Sequence, residues 1–326
     1  MIIEGKKVQL FTLSANKILA DEIAKASGIP LSSLSIERFS DGEIGINVND
    51  SVRGNHVFVI QPTSSPANEH IMELLIMIDA LKRASATQIT LLIPYFGYSR
   101  QDRKAKSRQP ITAKLVADLI QTAGANRVVS IDLHAAQIQG FFDIPIDNFP
   151  AAPLLATYFK DIDRENLIVV SPDHGGTTRA RSFARLFDVP IAIIDKRRPK
   201  PNQAEVMNII GEVKGKTCIL VDDIIDTAGT IIAGAEALKK AGAECVYACA
   251  THGVLSGKAI ERLENSVIKK IVLTDTINHE VLKNHEKFEM LSIGYLLGKA
   301  ILNIVKDEPI SQIFNDIYKN PLKLWN

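Results

Sequence analysis

Thr217-Cys218-Ile219-Leu220-Val221, continued by Asp222-Asp223-Ile224-Ile225-Asp226-Thr227-Ala228-Gly229-Thr230, is the stretch on which the fold turns. Its first five residues make a short apolar, β-branched run, the pattern of a strand buried on both faces in a parallel sheet. From Ile231 to Ala241 apolar residues recur at helical spacing. A strand, a tight acidic loop over 221–230 and a helix thus follow one another. In an open α/β sheet that loop lies outside the strand's carboxyl end, where ligands bind. Thr227, Ala228, Gly229 and Thr230 offer small side chains, two hydroxyls and backbone N–H groups at the positive end of a helix dipole, which suits a phosphate monoester. Asp222 and Asp223 cannot be phosphate ligands, since like charges repel; they suit sugar hydroxyls or a metal ion. Capping a helix asks for one such aspartate. Three acids, two threonines and a glycine within ten residues exceed that need.

Two more strand ends lie upstream in the same half of the chain. The apolar run over 167–171 delivers Asp173-His174-Gly175-Gly176, and Thr177 opens a helix carrying Arg179, Arg181 and Arg185. Paired glycines at a strand-to-helix turn let a backbone approach a phosphate closely. The strand over 190–194 ends in Asp195-Lys196-Arg197-Arg198-Pro199-Lys200. Four cations at a strand end are poorly explained by stability, because burying them unpaired is costly. Gly211-Glu212-Val213-Lys214-Gly215-Lys216-Thr217 imitates a Walker A loop, but it has three residues between the glycines instead of four and precedes its strand.

The first half repeats the design. A strand over 8–11 leads to a helix, expected to be capped by Ser14, that stops at Gly28. Glu37-Arg38-Phe39-Ser40-Asp41-Gly42-Glu43-Ile44 places Asp-Gly between strand-like segments, a hairpin signal. After the strand over 56–60 comes a nearly all-apolar helix over 69–85, expected to be buried between layers or between subunits. Its end, Asp79-Ala80-Leu81-Lys82-Arg83-Ala84-Ser85-Ala86, echoes Glu236-Ala237-Leu238-Lys239-Lys240-Ala241-Gly242-Ala243. Both lead into strands, so two βαβ domains of common design are expected. Between Tyr98 and Arg108 five basic residues face one acid, the composition of a basic lid that closes on polyphosphate. The strand over 128–133 then delivers His134, and Pro150-Ala151-Ala152-Pro153 marks the domain boundary. The expected domains are 1–149 and 150–326.

The 326 residues are 46% hydrophobic, enough to bury two cores. No apolar run nears the ~20 residues of a membrane span, and Met1-Ile2-Ile3-Glu4-Gly5-Lys6-Lys7 has no charged region leading into a long apolar one, so neither membrane insertion nor secretion is expected. Cys218, Cys245 and Cys249 sit in strand-like runs without metal spacing and read as buried thiols of a reducing cytoplasm. A formal net charge of +1 argues against nucleic acid as a partner.

Taken in order, Phe39-Ser40-Asp41-Gly42-Glu43, Tyr98-Ser99-Arg100-Gln101-Asp102-Arg103-Lys104, Asp132-Leu133-His134, Ser171-Pro172-Asp173, Lys196-Arg197-Arg198-Pro199 and the acidic loop carry a resemblance to bacterial-type ribose-phosphate diphosphokinases (PRPP synthetases) over about residues 9–314. The resemblance implies an α/β fold of two similar phosphoribosyltransferase-like domains, each a parallel sheet flanked by helices, with the active site between them. It implies transfer of the β,γ-diphosphoryl group of ATP to the C1 hydroxyl of ribose 5-phosphate, with Mg2+ as cofactor, in a cytoplasmic homohexamer. By position, Phe39, Asp41 and Glu43 would contact the adenine of ATP from a neighbouring subunit, joined by Arg100, Gln101 and Asp102; Asp222, Asp223 and Asp226 to Thr230 would bind the ribose 5-phosphate, and Asp173, His174, Gly175 and Gly176 the diphosphate. His134 and Asp173 would hold magnesium, and Lys196 and Arg198 would stabilise the transferring group. Two rivals share parts of this pattern. A type I phosphoribosyltransferase has the acidic loop, usually in one domain, and a non-catalytic synthetase-associated subunit keeps the fold but loses catalytic positions.

Overall fold

The first sheet begins with β1 (Ile2–Ile3), antiparallel to β2 (Lys6–Thr12), in a computed structural model that describes residues 1–197 and 206–313. Helix α1 (Lys17–Ser27) follows and ends, as expected, at Gly28 with φ 68°. Its cap is Asn16, whose side chain accepts from Leu19 N at 3.1 Å, and not Ser14. The Asp-Gly turn joins β3 (Leu34–Arg38) and β4 (Ile44–Val48), which form a two-stranded sheet of their own. Next come β5 (His56–Ile60), α2 (Ala67–Arg83), β6 (Gln88–Ile93), α3 (Thr112–Ala123), β7 (Arg127–Ile131) and β8 (Ile146–Phe149). The sheet runs β1-β2-β5-β6-β7-β8, parallel from β2 onward. Every residue of β5 is buried, which explains why that run shows no polar alternation.

The second sheet is built from β9 (Leu167–Ser171), β10 (Ile191–Arg197), β11 (Val206–Ile210), β12 (Thr217–Ile225), β13 (Cys245–Gly253), β14 (Ile271–Thr274) and β15 (Phe288–Leu291). Its order is β11-β10-β9-β12-β13-β14-β15, with only β11 antiparallel. Helices α4 (Ala152–Tyr158), α5 (Thr177–Arg185), α6 (Gly229–Lys240) and α7 (Ala259–Glu264) interleave with these strands, and α8 (Gly294–Lys306) follows β15. One core cluster joins Ile168, Val170, Leu220, Ile231, Leu238 and Leu273, and the corresponding cluster of the first sheet joins Val57, Val59, Leu74, Leu81, Leu91 and Ile120.

The two sheets share one plan. Leu31 makes a parallel bridge with Leu10 on the flank of β2 away from β5, the place that β10 takes beside β9. The β3–β4 hairpin then stands where β10 and β11 pair. The repeated helix ends agree bond for bond. Ala86 N donates to Leu81 O and Ala243 N to Leu238 O, both at 3.0 Å, while Ser85 and Gly242 occupy the same left-handed position at φ 64° and 92°. Serine is strained where glycine is not. Ser85→Gly is therefore expected to raise the unfolding free energy by roughly 1 kcal/mol, read as a higher denaturant midpoint at unchanged slope.

Within the chain helix α2 is buried on one face only, where Ile71, Leu74, Met77, Ile78 and Leu81 meet the core and Met72 is 52% exposed, so the alternative of burial between subunits stays open. The chain does not divide simply at Pro150. One compact unit comprises Met1–Pro150, Thr276–Asn278 and the segment beginning at Ser292; the other comprises Ala151–Asp275 and His279–Leu291. Helix α8 thus belongs with the first unit, where it packs on α1. The contact is close because Gly294 and Gly298 lie one helical turn apart: a Cβ on Gly298 would stand 2.6 Å from Ala26 Cβ. Arg198 and the tail from 314 onward fall outside the described residues.

Candidate active site

In the second unit, parallel pairing puts the carboxyl ends of β10, β9 and β12 side by side, so the three loops singled out from sequence share one edge. The central loop is Asp173 to Gly176. Asp173 is exposed, its Oδ1 accepts from Gly176 N at 2.8 Å, and its carbonyl accepts from Ser171 Oγ at 2.6 Å. Gly176 has no room for a side chain, since a Cβ would meet Ser171 Oγ at 2.9 Å. His174 Nε2 lies 2.9 Å from Oδ1 of the buried Asp195, which ties this loop to β10 one residue before Lys196. The backbone of Lys196 pairs with Met207 in β11.

The acidic loop differs from its expected form. Strand β12 runs on to Ile225, because Asp222, Ile224 and Ile225 continue to pair with Ala250, His252 and Gly253 of β13 after pairing with β9 has ended at Leu220. Asp222 and Asp223 are therefore strand residues with a fixed backbone. Arg179 of α5 reaches both carboxylates, its Nη1 3.0 Å from Asp222 Oδ1 and 3.1 Å from Asp223 Oδ1. Arg179 was visible in the sequence only as one of several arginines on its helix. Its position two residues after Thr177, on the first turn of a helix flanking β12, was the available signal. Ala228 adopts φ 63° and precedes α6, placing Thr227, Gly229 and Thr230 at an exposed helix N-terminus, with Arg262 Nη1 donating to Thr227 O at 3.4 Å. Asp226 is half-buried at the end of the strand.

Burial, and next the neighbouring Asp223, push the Asp222 carboxyl up to about 7, against the pull of Arg179. The folded chain therefore holds a proton that the unfolded chain gives up near its ordinary value of 3.8. Stability of the ligand-free protein is expected to fall as pH rises from about 4 to 7. Asp222→Asn should flatten that slope, and urea unfolding at pH 5 and pH 8 measures it; equal slopes in both proteins would contradict the assignment.

The first unit offers a second set. Phe39, 51% exposed, closes the hairpin tip by donating from its N–H to Glu43 O at 2.9 Å, and Asp41 Oδ1 accepts from Glu43 N at 3.1 Å. Residues 98–108 form turns without regular structure. Their entry is anchored: Tyr98 Oη donates to Asn68 Oδ1, Gln101 Oε1 accepts from Thr112 Oγ1 at 2.5 Å, and Asp102 Oδ2 accepts from Gln137 Nε2 at 2.7 Å. Arg100 is exposed at the same entry. His134 is half-buried just beyond β7, neighbour of the β6 that leads into this loop. His134 belongs to the first unit and Asp173 to the second, and among the described residues no group of three or more His, Cys, Asp or Glu gathers as a metal centre. Asp173, an exposed carboxylate, is an oxygen donor of the kind magnesium takes, and that ion keeps most of its waters and borrows phosphate oxygens.

Cys218 and Cys249 are buried thiols, Cys245 is half-buried, and all three are free. Burial pushes Cys218 up to about 12 and Cys249 higher still, which leaves both unreactive at neutral pH.

Comparison with known proteins agrees with this architecture. Residues 8–124 match the family model for the N-terminal domain of ribose phosphate pyrophosphokinase, and residues 195–315 match that of the phosphoribosyl synthetase-associated domain. The chain is 58% identical over 315 residues to a ribose-phosphate pyrophosphokinase of Staphylococcus saprophyticus, covering 96% of this chain and 98% of the relative. It is 60% identical over 309 residues to that of Bacillus caldolyticus, covering 95% and 98%. The crystal structure of phosphoribosylpyrophosphate synthetase from Mycobacterium smegmatis superposes with a TM-score of 0.88 at 42% identity, over 93% of this chain and all of that one. With two α/β sheets of one plan, phosphate-type loops at neighbouring strand ends and relatives of this identity along nearly its whole length, the chain belongs to the ribose-phosphate pyrophosphokinase family.

Proposed function

We propose that the protein transfers the β,γ-diphosphoryl group of Mg-ATP to the C1 hydroxyl of ribose 5-phosphate, releasing 5-phosphoribosyl 1-diphosphate and AMP. The observation that carries this reading is the Asp222–Asp223–Arg179 constellation on β12 beside the N-terminus of α6. The helix N-terminus with Thr227 to Thr230 takes the 5-phosphate, and the carboxylates, held apart from the phosphate on the strand, accept from ribose hydroxyls. The sugar is thereby oriented with its C1 hydroxyl toward the Asp173 to Gly176 loop on the neighbouring strand. The C1 oxygen attacks the β-phosphorus in line as the bond from that phosphorus to the AMP oxygen breaks, and the hydroxyl proton passes to solvent. Such a transfer needs positioning and cations on the developing charge more than covalent help. Lys196, at the adjoining strand end, and Arg198 supply the cations. Phe39, Asp41 and Glu43 with Arg100, Gln101 and Asp102 take the nucleotide, and the loop to Arg108 closes over it. His134 and Asp173 would hold magnesium, which when bound neutralises the polyphosphate charge.

Exposed Met72 on α2 and exposed Leu115 and Leu119 on α3 support a homo-oligomer, which we take to be a hexamer. Among the described residues no helix is long and apolar enough to cross a membrane. Three free thiols fit the reducing cytoplasm that we take as its compartment.

Separation of the nucleotides after incubation with ATP, Mg2+ and ribose 5-phosphate tests the reading. AMP formed in step with sugar consumed is expected. ADP as the nucleotide product would mean single phosphoryl transfer, and unchanged ATP a non-catalytic subunit.

A further inference from the structure

Glu73, in the second turn of α2, is fully buried, yet its carboxylate is crowded with donors. Ser14 Oγ lies 2.7 Å from Oε1 and 2.6 Å from Oε2, Ser14 N donates to Oε2 at 3.3 Å, and Gln61 Nε2 donates to Oε2 at 2.8 Å. Ser14 and Gln61 follow the carboxyl ends of β2 and β5, so they fix the carboxylate to the main sheet. The remaining partner is Arg38, whose Nη2 lies 2.6 Å from Oε1 and also 3.3 Å from Glu69 Oε2. A buried carboxylate is tolerated only when paired and hydrogen-bonded, and its bond to a guanidinium is of the strong, charge-assisted kind.

Arg38 is the last residue of β3, one before Phe39. The β3–β4 hairpin shares no ladder with the main sheet; it is placed by the bonds of Leu31 and Ser32 to Leu10 at its start, by Leu34, Ile36, Ile46 and Val48 packed on the core and β4 on α2, and, next to its tip, by this ion pair. The tip itself is internally closed by the Phe39–Glu43, Gly42–Phe39 and Asp41–Glu43 bonds. Once Arg38 is fixed, the tip moves as one piece. We propose that Glu73 is a positioning residue of the nucleotide site: by clamping Arg38 to the sheet it sets where Phe39, Asp41 and Glu43 meet the adenine of ATP. This rests on the functional reading above and adds to it a residue remote from the nucleotide.

A general structural role and a positioning role separate kinetically. Glu73→Gln keeps the volume and an acceptor for Ser14 while removing the charge that holds Arg38; Arg38→Met removes the other partner and leaves Ser14 and Gln61 on Glu73. In both variants the KM for ATP is expected to rise about tenfold, with kcat and the KM for ribose 5-phosphate within about twofold of wild type. The double variant should add little to either, since the two residues act through one bond. An ATP KM within twofold of wild type in the folded variants, or equal losses in the constants for both substrates, overturns the proposal. Should Glu73→Gln fail to fold, Arg38→Met decides, because the Arg38 side chain is 41% exposed and Ser14 and Gln61 go on bonding the Glu73 carboxylate. A wild-type protein that forms no AMP would sink the functional reading, and this inference with it; AMP formation by wild type with an unaltered ATP KM in Arg38→Met sinks this inference alone.

Discussion

Lys196→Ala is expected to lower kcat about a hundredfold or more, the scale on which single electrostatic stabilisers of a transition state act, while changing the KM for ATP and for ribose 5-phosphate only a few-fold. The reason is geometric. Lys196 continues β10 beyond the point where β9 ends in the Asp173 to Gly176 loop, and the bond between His174 and Asp195 holds that loop against the residue preceding Lys196. On the proposed function Lys196 meets the charge of the transferring diphosphoryl group and takes no part in holding the ribose. Charge lost at that place is missed when the transferring group develops its negative charge, and less when substrates merely bind. Steady-state rates of AMP formation measure the split. Unchanged turnover in a folded Lys196→Ala protein would remove the residue from the mechanism.

The second large effect concerns the fold. Gly298→Val is expected to cost roughly 3 kcal/mol, the upper range for overpacking a well-packed contact. A Cβ on Gly298 would stand 2.6 Å from Ala26 Cβ and 3.0 Å from Ser27 N, and one on Gly294 2.6 Å from Glu22 Cβ. Neither neighbour can yield, because both belong to the body of α1. Helix α8 would have to withdraw from α1, exposing buried Leu297, Ala300 and Ile301. Gly298→Ala should show a smaller loss of the same sign. Urea midpoints provide the comparison, and a valine variant as stable as wild type would mean that α8 does not dock on α1 as described.

Such contacts explain what could and could not be read beforehand. The runs over 56–60 and 167–171 coincide with β5 and β9, because strands buried on both faces announce themselves as continuous apolar sequence bounded by polar loops. The helix over 231–241 was legible for the analogous reason of period. Ser14 was misread as a cap because its true partner, Glu73, lies 59 residues away and only the fold brings them together. Asp222 and Asp223 looked like loop residues since strands seldom hold adjacent acids; Arg179, 43 residues upstream of Asp222, makes them acceptable there. Strand β11 escaped notice altogether, although Val206-Met207-Asn208-Ile209-Ile210 is a short apolar run; only its antiparallel pairing with β10 reveals it as an edge strand. The return of α8 to the first unit was written in the Gly294…Gly298 spacing, but Pro150-Ala151-Ala152-Pro153 was the louder punctuation. Of the expected site, the carboxyl ends of β9, β10 and β12 gather at one edge, because parallel pairing aligns them.

The most direct measurement follows ATP labelled at the β-phosphate through a reaction with ribose 5-phosphate and Mg2+, separating sugars from nucleotides. The account predicts label in 5-phosphoribosyl 1-diphosphate with an equal amount of unlabelled AMP. Label remaining in ATP, or appearing in ADP, would contradict it.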